Sequence, residues 1–277
     1  MGLILDGVGY TYSQGTDFAE CALEGVSLSV GPGELVLVLG ATGSGKSTLL
    51  LIAAGLLSAT SGAASVDGAI LDRVSARGVV GMVFQDAESQ LFAETVAEDV
   101  AFGPRNLGSS ASDARAAAVA AMTVVGLEYE AYERRSPFGL SGGEARRTAI
   151  AGVLAMQPRY LLLDEPTAGL DSHGRLAVSR IIAAMRDSTG IVVVSHSAEE
   201  FLGMADRVLM LAEGSVVFHG PSADIVADPS LLEKGGLLPP DVLVVQQLAR
   251  EHGWDPGAFT LDPIQAAENI ARAGGWL

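Results

Sequence analysis

The sequence predicts an α/β fold, and three observations predict it. Short apolar runs of the buried-strand type recur at residues 35–39, 79–84, 160–163 and 191–194. Stretches with helical spacing of apolar residues, 47–57, 112–125 and 172–186, alternate with them. Gly40-Ala41-Thr42-Gly43-Ser44-Gly45-Lys46-Ser47 reads G-x-x-x-x-G-K-S and falls between the first of these strands and the first of these helices. That is the context a phosphate-binding loop requires.

The chemistry of the loop follows from its residue types. Its glycines let backbone N–H groups turn inward as an anion nest, and the helix N-terminus adds partial positive charge. Lys46 reaches the β- and γ-phosphates of a nucleotide, and Ser47 offers its hydroxyl to Mg²⁺. The chain has only two lysines, Lys46 and Lys234, so a chance match is rare. A plain glycine turn is the bland alternative, and the flanking strand and helix argue against it.

Composition narrows the rest. At 277 residues and 49% hydrophobic, the chain is one large domain or a domain with a subdomain and tail. No apolar run approaches the roughly eighteen residues of a membrane span, and no secretory signal is expected at the N-terminus. Cys21 is the sole cysteine, which excludes an internal disulfide and fits a reducing cytoplasm. A net charge of −16 argues against broad nucleic-acid binding, because phosphate backbones demand a basic surface.

In chain order, 3–12 is an edge strand, 13–20 a polar turn and 23–30 a second strand. Gly31-Pro32-Gly33 turns tightly into the strand before the loop, and these early strands read as antiparallel. Residues 65–71 form a hairpin around Asp67-Gly68. The strand 79–84 ends at Gln85, which is either a loop residue or a ligand for Mg²⁺ or water. Tyr12 is either an edge-strand tyrosine or a platform for a nucleotide base. A short helix at 95–102 is stopped by Gly103-Pro104. With the helix 112–125 it makes a helical block inserted in the α/β chain.

Ser141 and Glu144 of Leu140-Ser141-Gly142-Gly143-Glu144 have capping-box spacing, so they open a helix running to about Met156. Each glycine in that first turn weakens the helix by about 1 kcal/mol. Gly142 and Gly143 therefore suggest N–H groups kept open for a phosphate. The strand 160–165 ends in Asp164, suited to a water-mediated Mg²⁺ role, and Glu165, placed to deprotonate water. The strand 191–194 ends at Ser195-His196; His196 is either a surface histidine or one at the ligand edge of the sheet. Ser197 and Glu200 cap a short helix, and 207–211 with 215–219 form a hairpin. Past Pro221, short helices at 222–227, 241–250 and 263–273 read as a packing or dimer-contact extension.

This ordered set resembles the ATP-binding cassette (ABC) ATPases over residues 1–220. Gly40–Ser47 matches Walker A, Gln85 the Q-loop, Leu140–Glu144 the signature, and Leu161–Glu165 Walker B. Ala168–Asp171 matches the D-loop and His196 the switch histidine. The stretch Phe84-Gln85-Asp86-Ala87-Glu88-Ser89-Gln90-Leu91-Phe92 resembles, more narrowly, energy-coupling-factor transporter ATPases of the cobalt and vitamin type. So do Thr95-Val96, Asp99–Pro104, Asn106–Gly108, Arg135–Phe138, Ala151–Met156 and Leu238-Pro239-Pro240. Glu144 stands where Gln is commoner, and a capping box accepts either. Ala87 replaces a proline often found in this group, which bears on the shape of that loop.

The resemblance implies an α/β P-loop NTPase: a RecA-like core, an N-terminal antiparallel β-subdomain, and a helical insert at about 95–140. A helical extension at 221–277 follows the cassette. It implies ATP and Mg²⁺, with Tyr12 on adenine and Gly40, Gly43, Ser44, Gly45, Lys46, Ser47 and Thr48 around the phosphates. Ser47 and Gln85 ligate Mg²⁺ with Asp164 in support. Glu165 is the general base and His196 stabilises the γ-phosphate. Ser141, Gly142 and Gly143 act in trans on the ATP of a second ABC ATPase, identical or paralogous, and Asp171 crosses the interface.

The implied setting is the cytoplasmic face of the membrane, peripherally bound to a transmembrane coupling subunit (T component) and a substrate-binding membrane subunit (S component). Glu88, Glu94, Glu98 and Asp99 would form an acidic groove for arginines of the coupling subunit. The cargo is then a vitamin or a cobalt- or nickel-type ion. An ATPase of another ABC importer or exporter, and a non-transport ABC protein, are the alternatives within the superfamily. A small-molecule kinase shares the phosphate loop but lacks the pairing of the signature with His196.

Overall fold

The computed structural model describes residues 2–276. The chain begins with β1 (Leu3–Tyr12), β2 (Glu20–Val30), β3 (Leu35–Leu39), α1 (Lys46–Ala53), β4 (Ser61–Val66), β5 (Ala69–Ile70) and β6 (Val80–Val83). A helical stretch follows: α2 (Val96–Asn106), α3 (Ala111–Val124), α4 (Tyr129–Tyr132) and α5 (Gly142–Leu154). Then come β7 (Tyr160–Asp164), α6 (Ser172–Met185), β8 (Gly190–Ser195), β9 (Arg207–Ala212) and β10 (Ser215–Pro221). The chain closes with α7 (Ser222–Ala227), α8 (Asp241–Glu251) and α9 (Pro263–Ala273).

The strands form two sheets. One is antiparallel in the order β2-β1-β4-β5. The other runs β10-β9-β3-β8-β7-β6, parallel except for the β9–β10 hairpin. Every residue of β3, β7 and β8 is buried, which only a sheet covered on both faces allows. Because strand side chains alternate faces, the sheet parts two cores. Leu35, Leu37, Leu39, Leu161, Leu163 and Val193 pack with α2, α3, α5 and α6. Val36, Val38, Leu162, Val192 and Val194 pack with α1 and the antiparallel sheet.

Three local expectations change. The helix expected to stop at Gly103-Pro104 runs on as α2 to Asn106, with Pro104 in its last turns. Gly103 serves packing instead: a Cβ there would meet Met156 Cγ at 2.6 Å, so its absence lets α2 lie close to α5. The expected short helix after Ser197 is a run of turns. Glu200 is drawn away from the cap, accepting hydrogen bonds from the Thr167 hydroxyl and, at 3.1 Å, from Arg175. Of the four acidic groove residues, Asp99 is buried and accepts from the N–H groups of Phe92 and Ala93 at 2.8 and 2.9 Å. Glu98 accepts the Thr95 hydroxyl at 3.0 Å. Both carboxylates are engaged within their own loop and cap.

The tail is anchored to the cassette. Ile225, Leu232, Leu237 and Leu243 join the core on the α6 side of the sheet. Gln246 on α8 is fully buried and satisfied: its amide donates to the carbonyls of Val242 and Thr260 at 2.7 Å and accepts from Thr260 N–H at 3.0 Å. That side chain ties α8 to the loop before α9. Gln246→Met keeps the volume but leaves the Thr260 amide unpaired, a loss of about 1–3 kcal/mol. A urea titration that finds the variant as stable as the parent would refute this role.

Candidate functional site

The parallel pairing of β3, β8 and β7 sets the site. Leu39 pairs with Ser195, and Asp164 with Val194, so Gly40, Glu165 and His196 all leave the sheet at one edge. That carboxyl edge is where open α/β sheets take ligands. A cavity of about 460 Å³ opens there, lined by Tyr12, Thr42, Gly43, Gly45, Lys46, Ser47, Thr48, Gln85, Glu165 and His196. Sequence-predicted residues from five separate segments are thus brought together, while Gly40, Ser44 and Asp164 lie outside the lining. Glu20, Cys21 and Ala22 line it too, because the Tyr12–Glu20 pairing of β1 and β2 carries them there. Strand register was the missed signal for these three.

The loop wraps over α1. Gly45 has φ +99°, and a Cβ on it would lie 2.4 Å from the Ala22 carbonyl oxygen, so only glycine fits. Lys46 is buried, and its ammonium donates to the carbonyls of Gly40 and Ala41 at 2.7 and 2.8 Å. Burial lowers its pKa, while Glu165 and Asp164 act in the opposite direction. Tyr12 hydrogen-bonds Thr48 through its hydroxyl at 3.0 Å and meets Tyr10 edge-on with ring centroids 4.8 Å apart. Its ring is held at the cavity wall.

Two buried oxygens there, Ser44 Oγ and Asp164 Oδ1, have no hydrogen-bond partner among the described residues. Burial raises the Asp164 pKa, the Ser47 hydroxyl bond lowers it, and Glu165 adds to the rise. The orphaned Asp164 oxygen behind the Ser47 hydroxyl, with Ser47 and the Gln85 amide lining the cavity, is an oxygen donor set. It suits a hard divalent cation that takes its remaining ligands from phosphate and water. The residues present fit Mg²⁺.

Glu165 stands just past β7 with φ +45°, a left-handed backbone that is uncommon outside glycine. Its Oε2 lies 2.8 Å from His196 Nδ1. His196 is well exposed and Glu165 mostly enclosed, so a carboxylate faces the cavity with an imidazole steadying its outer side.

Ser141, Gly142 and Gly143 are not in this cavity. They line a separate one of about 800 Å³ with Ala168, Gly169, Asp171 and His173. Ser141 caps α5 in a full capping box: Glu144 accepts from Ser141 N–H and from its hydroxyl, each at 2.8 Å. Tyr132 donates to the other Glu144 oxygen at 2.7 Å, with Arg135 beside it. These bonds, the one from Tyr132 strongest, lower the Glu144 pKa to about 2. Ala87 lies fully buried at the start of a one-turn 3₁₀ segment, Ala87–Gln90, so alanine in place of proline keeps a helical start there.

A family model described as "ABC transporter" matches residues 23–168. The energy-coupling factor transporter ATP-binding protein EcfA2 of Symbiobacterium thermophilum is 44% identical, over 99% of this chain and 98% of that protein. EcfA2 of Clostridium perfringens is 42% identical, over 98% and 97%. Among solved structures, cbiO1 of Clostridium perfringens, described as part of the ABC transporter complex cbiONQ, superposes with a TM-score of 0.74. It is 32% identical, over 88% of this chain and 98% of that one. The ATP-binding cassette MJ0796, in a dimeric post-hydrolysis state bound to ADP and Pi, has a TM-score of 0.71 and 29% identity, over 79% and 98%.

Because the Glu144 pKa is held below its ordinary 4.5, the capping box stabilises the fold above that pH and is lost as pH falls toward about 2. Glu144→Ala destabilises by about 1 kcal/mol near neutrality, the size of a lost cap, and Glu144→Gln by less. Denaturant titrations across that acid range test it: the advantage of the parent over Glu144→Gln shrinks toward pH 2. A gap that widens there refutes it.

Proposed function

We infer the mechanism from one premise: the chain belongs to the ABC transporter family, and within it to the energy-coupling factor transporter ATP-binding proteins. It is an ATPase subunit that energises an importer. The observation that carries the mechanism is Glu165, held against His196 at the mouth of the cavity that contains Lys46.

The proposed reaction is attack of water on the γ-phosphorus of ATP, forming a new P–O bond as the bond to the β,γ-bridging oxygen breaks; ADP leaves with that oxygen and its electron pair, and inorganic phosphate is the second product. Adenine stacks on Tyr12. Phosphate oxygens replace the Gly40 and Ala41 carbonyls as partners of Lys46 and receive the loop N–H groups of Gly43, Gly45 and Ser47. Ser47 and Gln85, with Asp164 behind them, would hold Mg²⁺, which would supply charge neutralisation for the phosphates. Glu165 takes the proton of the attacking water. His196 Nδ1–H donates to the Glu165 carboxylate and fixes it in that orientation, while the ring faces the γ-phosphate. Phosphoryl transfer needs positioning and charge stabilisation above all, and each of these groups supplies one or the other.

The remaining donors come from a second cassette, a copy of this chain or a paralogue. Ser141, Gly142 and Gly143 lie outside the cleft, at the N-terminus of α5, and would meet the partner's γ-phosphate with backbone N–H groups. Asp171 lies beside them on the same face. The 221–277 tail offers a further contact between cassettes through exposed Ile264 on α9, which buries only Ala266.

The membrane subunits dock at a groove next to the segment after Gln85. It is lined by Gln90, Leu91, Phe92, Phe102, Leu107 and Met156, with Phe92 and Phe102 edge-on at 4.8 Å and both exposed. Its lining is mainly apolar, with Arg77, Asp99 and Asn106 among it, so apolar burial supplies more of the docking than charge does. No helix among the described residues is long and apolar enough to cross a membrane, so the coupling subunit holds the chain at the cytoplasmic face. The cargo, bound by a separate membrane subunit, is a vitamin or a cobalt- or nickel-type ion.

Glu165→Gln binds ATP, dimerises with it, and turns over about 10²–10⁴-fold more slowly. Gel filtration with ATP and a phosphate-release assay test this; near-parental turnover rules out Glu165 as the base. Mass spectrometry of ligand recovered with the intact membrane complex identifies the cargo.

A further inference from the structure

Arg146 is a buried cation that no step above employs. It sits in the second turn of α5, is 4% exposed, and has no solvent to meet its charge. Its guanidinium donates instead to three main-chain carbonyls in one short segment: Glu165 at 3.3 Å, Pro166 at 3.2 Å and Ala168 at 3.3 Å. Among the described residues, the one carboxylate within 4.0 Å of it is Glu88, at 3.8 Å, in the 3₁₀ turn three residues past Gln85.

These partners place Arg146 where three parts of the cassette meet. The first is the turn after Gln85, at the edge of the apolar groove. The second is α5, whose N-terminus carries Ser141, Gly142 and Gly143. The third is the segment from Glu165 to Asp171. The Glu165 carbonyl, bonded by Arg146 and by Ala168 N–H at 3.1 Å, belongs to the residue with the left-handed backbone. Such a conformation is strained outside glycine and persists only where neighbouring contacts hold it. A planar fork reaching several acceptors at fixed angles is suited to that task, and a lysine ammonium is not.

We propose that Arg146 is a positioning residue: it holds the Glu165 backbone so that the carboxylate faces the cavity, and it links the turn after Gln85 to that carboxylate. The proposal rests on the reading of Glu165 as the base. When the turn shifts, Glu88 moves relative to the guanidinium, and the carbonyls of Glu165 and Ala168 follow through the same group. Occupancy of the groove thereby reaches the reacting water without passing through the nucleotide.

Steady-state ATPase kinetics of the full chain test this with Arg146→Lys, Glu88→Gln and Glu165→Gln. Arg146→Lys keeps the charge but loses the fork. It lowers kcat by about tenfold or more while KM for ATP stays within about twofold, the pattern of a displaced catalytic group with nucleotide binding intact. Glu88→Gln, at a half-exposed position, lowers kcat severalfold with KM unchanged. Parental kcat in Arg146→Lys, or equal loss of kcat and ATP affinity, overturns the proposal. If Arg146→Lys does not fold, Glu88→Gln decides, and parental kcat there overturns it. Substantial activity in Glu165→Gln overturns the base assignment instead, whatever Arg146→Lys shows.

Discussion

The parallel register of β3, β8 and β7 is the constraint on which the rest depends. Each strand is five or six residues long and buried throughout, so none can slip without exposing an apolar face. With the register fixed, Gly40, Glu165 and His196 emerge side by side. Nothing else in the chain has to find them. The cleft is a property of strand ends, and the helices and the antiparallel sheet serve to keep those ends buried and aligned.

The cleft holds its charges in two different ways. Lys46 is buried yet satisfied, since its ammonium is held by loop carbonyls and sits in the field of two carboxylates. Asp164 leaves one oxygen unmatched. A buried cation held by loop carbonyls and a carboxylate oxygen with no partner among the described residues together suit a polyanion and a cation at once. On the other face, Glu144 gives one oxygen to the cap that starts α5 and the other to Tyr132, which fixes the direction in which Gly142 and Gly143 present their amides.

The legible part of the fold was local. The phosphate loop, the capping box at Ser141 and the paired carboxylates after β7 each carry their signal within a few residues, and the ends of most strands and helices follow from turn residues. What stayed hidden depends on partners far along the chain. Asp99 has the composition of a surface acid, and only the loop at Phe92 turns it inward. Pro104 has the form of a stop, but packing of Gly103 on Met156 carries α2 past it. Arg146 shares its helix face with buried alanines, a hint at burial, yet its carbonyl acceptors lie 19 to 22 residues on and have no signature of their own. Gln246 is the same case in the tail.

The alternation of β3, β7 and β8 between two cores has one more consequence. The helices α2, α3 and α5 pack on one side of the sheet, and α1 with the antiparallel strands on the other. A change of packing on the helical side is therefore absorbed there, as in a wall with separately furnished rooms. The packing of the helical layer and the placement of the loop around Lys46 are thus set by different alternate residues of the same strands.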